Sequence, residues 1–167
     1  LEQLKYFKLD KIDYSLLQNI IADSLNIKSW FVTNDPTEKN IRKALNFGHT
    51  AGHAFESLAL EQNRPVLHGY AVAWGMITEL YLSVNKCNFD KNEFQRLTNW
   101  LFSVYGSFKI EREDFEPLLE LMIHDKKNES GKINFSLLSE PGKIRININC
   151  EEELILEALD FFRSIQS

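Results

Sequence analysis

The sequence predicts a mainly α domain, multi-helical, carrying one small β-hairpin. Two observations carry this. Apolar residues recur at three- and four-residue spacing in one segment after another, and a single stretch near the C-terminal end alternates instead, on both sides of a Pro-Gly turn. The 167 residues are ample for a buried core, and 44% hydrophobic with 26% charged residues is a soluble globular composition rather than a disordered one.

The elements follow in order. In "DKIDYSLLQNIIADSLNIKSWFV", Leu16, Leu17, Ile20, Ile21 and Leu25 lie at helical spacing, passing into an extended stretch around Trp30 to Val32. "NDPTEKNIRKAL" predicts a helix starting near Pro36, with Asp35 as its cap and Glu38 as capping-box partner. A further helix runs from Asn46 to about Leu60, and "QNRPVL" makes the following loop. "HGYAVAWGMITELYLSVNK" is a long helix that reads as buried on most of its circumference. Amphipathic helices fit "KNEFQRLTNWLFSVYG" and "REDFEPLLELMIHD"; "GKINFSLLSEPGKIRININ" is the hairpin, and "EEELILEALDFFRSIQ" closes the chain as a helix.

Several functions are disfavoured at once. The net charge of −5, with scattered lysines and arginines, lacks the basic face of a nucleic-acid binder. No run approaches the roughly 20 apolar residues of a membrane span, and "LEQLKYFKLDKIDY" is unlike a secretory leader, so a cytoplasmic location is expected. Cys87 and Cys150 stand far apart, without a CxxC pair, and read as free core thiols. An opening on Leu1 rather than Met points to an excised domain or a trimmed terminus.

The chemistry concentrates between Arg42 and Met76, where three of the four histidines fall, each beside a glycine. His49 and His53, at i and i+4, project from one helical face, where they either reach a common ion or ligand or serve as polar residues of a partly buried helix. Gly48 and Gly52 permit close approach of a backbone or a ligand at a loss of helix propensity. His68 opens the next helix, whose free N–H groups and dipole favour anions. Such a set suits a divalent metal beside a phosphate.

These residues carry a resemblance. "LNFGHTAGHAFE" followed by "LHGYAVAWGM" resembles the paired signature in the C-terminal half of the 3-dehydroquinate synthase family of sugar-phosphate cyclases. Lys28, 21 residues before His49, stands at a matching offset, as do Glu38, Arg42 and Asn46; "HDKKN" and the hairpin extend the likeness over about residues 12 to 148. One departure stands out: the family's usual "HGEAV" is here "HGYAV", with Tyr70 in place of an acid.

The resemblance implies that residues 1–167 form the C-terminal domain of a two-domain enzyme whose NAD-binding domain lies N-terminal to them. It implies His49 and His68 as ligands of Zn²⁺, or of another divalent metal such as Co²⁺, with a glutamate upstream of Leu1 as the third. It further implies His53 at the substrate's phosphate end, Arg42 and Asn46 toward its carboxylate and hydroxyls, and Lys28 and Lys126 as substrate-binding lysines, with Lys127 beside the latter. Glu38 is either a capping residue or an active-site carboxylate that orients Lys28 or Arg42, and His124 reads as a neighbour of the site or a surface residue.

The implied reaction converts 3-deoxy-D-arabino-heptulosonate 7-phosphate into 3-dehydroquinate and phosphate with NAD⁺, in a homodimer, with no nucleic-acid or membrane partner. A related cyclase or polyol dehydrogenase domain, and a non-catalytic helical interaction domain, are the alternatives. Retention of so many clustered polar groups argues against the last.

Overall fold

The computed structural model describes residues 13–124 and 133–166. It is mainly α-helical with one antiparallel hairpin, as the periodicities predict. The chain divides into two compact units, Leu1–Leu45 and Asn46–Ser167.

The first unit holds helix α1, Tyr14–Asn34, whose start is fixed by the Asp13 carboxylate accepting from the Ser15 and Leu16 N–H groups. The helix continues through Trp30 to Val32, so the extended stretch expected there is helical. No α-helix begins at Pro36 either. The Asp35 carboxylate gathers the N–H groups of Lys39, Asn40 and Arg42 at 3.1, 2.7 and 3.1 Å, Glu38 adopts a φ of +55°, and a 3₁₀ helix, Ile41–Asn46, follows. One carboxylate meeting three N–H donors within four residues holds a tight turn, and that turn replaces the first turn of a helix. Burial pushes the Asp35 carboxyl up, but these N–H bonds and the Arg42 charge outweigh it and hold it below its ordinary range.

The second unit is built around α3, His68–Cys87, which packs on α2, His49–Glu61, on α4, Lys91–Tyr105, and on α6, Glu152–Ser164. Strand β1, Asn134–Glu140, also lies on α3, and it pairs with β2, Lys143–Asn149, in the register Asn134 to Asn149 and Glu140 to Lys143. Pro141 and Gly142 make the turn, Gly142 with a φ of +81°. Helix α5, Phe115–His124, rests on α2 and α6. The sequence's expectation for α3 holds: Ala71 through Gly75, Ile77 through Leu80, Leu82 and Ser83 are all buried.

Phe55, Phe162, Leu118 and Met122 fill the space between α2, α5 and α6, with the Phe55 and Phe162 rings 4.9 Å apart. The Trp74 indole stacks on Phe108 and donates to the Tyr105 and Gly106 carbonyls, fastening α3 to the end of α4. Cys87 and Cys150 are buried free thiols, as expected; burial raises both, Cys150 to about 12.

Candidate functional site

The site begins with the crossing of α2 and α3. Gly48 sits at φ +83° just before α2, and a Cβ there would lie 2.5 Å from the Met76 side chain and 2.8 Å from the Val72 carbonyl oxygen. A Cβ on Gly52 would meet the Val72 backbone at 2.9 Å, and one on Gly75 would meet the Gly48 oxygen at 2.1 Å. Gly48 and Gly52, beside His49 and His53, therefore serve the close approach of two helices together with Gly75, whereas Gly69 beside His68 faces open space. The close approach is what offsets the loss of helix propensity at the packed glycines.

Gly48 offers no side chain to cap α2, and a residue of α3 does so instead. The Glu79 carboxylate, fully buried, accepts from the N–H groups of Gly48 at 2.6 Å, Thr50 at 3.1 Å and Ala51 at 3.3 Å. An anion at these unsatisfied donors meets both their hydrogen bonds and the positive end of the helix dipole. Sequence reasoning missed Glu79, although a lone acid inside a helix apolar on all sides was its signal, since buried carboxylates must find donors. Glu79→Gln is expected to destabilise the chain by about 1–3 kcal/mol, because an amide presents one acceptor and two donors to three N–H groups. Urea denaturation followed by circular dichroism checks it.

With α2 thus fixed, His49 as its first residue and His53 one turn on face His68, the first residue of α3. The ring centroids are 5.5 Å apart for His49 and His53, 5.6 Å for His49 and His68, and 5.6 Å for His53 and His68. Two imidazoles sharing a tetrahedral ion at about 2.0–2.1 Å bring their centroids to about 5 Å, so the spacing fits a shared divalent metal. The His49 and His68 rings also have partners that orient them. The Nδ1 of His68 is 2.9 Å from the Glu56 carboxylate, and the Nδ1 of His49 is 3.4 Å from the Phe47 carbonyl oxygen. Both acceptors can only accept, so each Nδ1 donates and Nε2 keeps its lone pair for a metal. Among the described residues no group of three or more His, Cys, Asp or Glu side chains is placed to hold a metal ion.

The remaining predicted residues divide between the units. Lys28, on α1, Glu38 and Arg42 belong to the first, where Arg42 donates to the Pro36 carbonyl oxygen at 3.0 Å and lies 3.7 Å from the Glu38 carboxylate. Asn46, at the end of the 3₁₀ helix, opens the second unit three residues before His49. His124 is exposed at the end of α5, and Lys126 and Lys127 lie outside the described residues. Tyr70 is half exposed, its ring edge-on to Trp74 and Tyr105 at 6.0 and 5.6 Å. Tyr70 thus extends an aromatic cluster.

Residues 1–128 match the family model described as 3-dehydroquinate synthase C-terminal. The chain belongs to this family. A 3-dehydroquinate synthase from Parabacteroides distasonis is 47% identical over 157 residues, 94% of this chain and 44% of that protein. One from Leptospira interrogans is 35% identical over 92% of this chain and 42% of its own length, and one from Dictyoglomus thermophilum is 39% identical over 88% and 41%. The chain thus spans less than half the length of these 3-dehydroquinate synthases. Among solved structures, a 2-deoxy-scyllo-inosose synthase complexed with carbaglucose-6-phosphate, NAD⁺ and Co²⁺ aligns with a TM-score of 0.52 at 26% identity, over 71% of this chain and 32% of that one. No helix of the described residues is long and apolar enough to cross a membrane.

Proposed function

We propose that residues 1–167 are the metal- and substrate-binding domain of a cytoplasmic 3-dehydroquinate synthase, which acts as a homodimer and joins to an N-terminal domain that binds NAD⁺. The full enzyme converts 3-deoxy-D-arabino-heptulosonate 7-phosphate into 3-dehydroquinate and phosphate. The observation that carries this reading is the convergence of His49, His53 and His68 at 5.5–5.6 Å, on helices fixed to each other through glycines and Glu79.

In this reading His49 and His68 hold a divalent metal, Zn²⁺ or Co²⁺, together with a carboxylate from outside the chain. Such an ion supplies Lewis acidity to a hydroxyl being oxidised and to the resulting carbonyl. His53 binds the phosphate end of the substrate. The Arg42 guanidinium and the Asn46 amide take the carboxylate and hydroxyls, a guanidinium being suited to bidentate pairing with a carboxylate. Lys28 and Lys126 supply further positive charge to the anionic substrate, and Glu38 holds Arg42 in place. A sugar-phosphate cyclase of different substrate is the second reading, favoured by the likeness to the inosose synthase.

The test joins the chain to the N-terminal half of the Parabacteroides relative and measures phosphate release. Turnover of the heptulosonate phosphate that requires both NAD⁺ and a divalent metal is expected, with none from the chain alone. Turnover of a hexose 6-phosphate in its place selects the second reading, and robust turnover by the chain alone overturns the two-domain assignment.

A further inference from the structure

Glu56 lies seven residues after His49 and three after His53, so all three occupy one face of α2. Its carboxylate reaches across the helix crossing to His68 Nδ1 at 2.9 Å, joining α2 to the first residue of α3. From Tyr70 onward α3 is held by packing, but its first two residues are not. Leu67 provides no side-chain cap, and Gly69 has open space where a Cβ would stand. The imidazole of His68 is half exposed, its side chain 52% accessible, so packing alone does not fix its rotamer.

We propose that Glu56 is a positioning residue for His68, holding the ring in one orientation and in the tautomer that presents Nε2. A carboxylate in this place accepts the Nδ1 proton and so leaves the lone pair on the other nitrogen. Carboxylates hydrogen-bonded to metal-binding histidines commonly fix the ring in this way. The pair is too exposed to matter greatly to folding, since surface ion pairs contribute little. Its consequence is therefore expected in metal affinity rather than in stability. This role rests on His68 being a metal ligand.

The test uses the full-length protein and measures Zn²⁺ affinity by chelator competition, the visible spectrum of the Co²⁺ form, and thermal stability of the metal-free protein. Glu56→Ala is expected to weaken Zn²⁺ binding by about 10–100-fold, to alter the Co²⁺ spectrum, and to leave the metal-free melting temperature within a degree or so. Glu56→Gln, whose amide oxygen still accepts from Nδ1, is expected to recover much of the affinity. Wild-type Zn²⁺ affinity in Glu56→Ala overturns the proposal, as does a loss of affinity matched by an equal loss of metal-free stability. His68→Ala distinguishes the two levels: wild-type Zn²⁺ binding in that variant overturns the metal assignment itself, whereas loss there with none in Glu56→Ala removes Glu56 alone.

Discussion

Gly75→Ala is expected to destabilise the chain by about 3 kcal/mol or more, the upper end of the range for overpacking. The added Cβ would stand 2.1 Å from the Gly48 oxygen, 2.5 Å from the Gly52 nitrogen and 2.9 Å from the Gly52 Cα. All three are backbone atoms, so no side-chain rotation relieves the clash and α2 must move off α3. The displaced segment contains the Gly48 carbonyl that accepts from the Gly52 N–H and the Gly48 N–H that donates to Glu79. The cap on α2 and the placement of His49 are therefore disturbed together.

Gly69→Ala is the control, because nothing lies within 4 Å of a Cβ there and alanine is the better helix former. It is expected to be neutral or slightly stabilising. Urea denaturation of the two variants beside wild type measures the difference. A Gly75→Ala chain within about 0.5 kcal/mol of wild type would show that the two backbones do not meet at this point.

The same crossing marks the limit of what the sequence discloses. Glycines beside histidines could be read as places of close approach, but whether a ligand or a backbone approaches depends on Gly75, which lies 23 residues beyond Gly52 and comes into play only when α2 and α3 pack. Periodicity sufficed for α3, since its apolar residues run round the helix, and for the hairpin, since Pro141 and Gly142 mark its turn. It failed at Pro36 because capping rules assume that a side chain meets donors of a helix, whereas Asp35 draws three N–H groups into a turn. Pairing of the histidines was legible from spacing and resemblance. Glu56 was not, because it acts on a residue of the other helix, and Glu79 showed only as an acid inside an apolar helix, its partners on α2 unspecified.

His53→Ala in the full-length protein is expected to lower turnover by about 100-fold or more, the lower bound for loss of a positioned catalytic side chain, while bound metal stays near the wild-type amount. The three rings are almost equidistant, so distance gives His53 the same claim to an ion as its neighbours. The assignment follows the family resemblance, in which His49 and His68 are the metal ligands, and it agrees with Nδ1 of both rings meeting acceptors that leave Nε2 as the ligating nitrogen. If those two rings and an outside carboxylate hold the metal, the three protein ligands usual for a catalytic site are supplied without His53. His49→Ala and His68→Ala should then lose metal as well as turnover. Metal content and phosphate release measured on one preparation of each variant separate the roles. A His53→Ala protein that comes out metal-free would move His53 into the ligand set and leave the phosphate to the lysines.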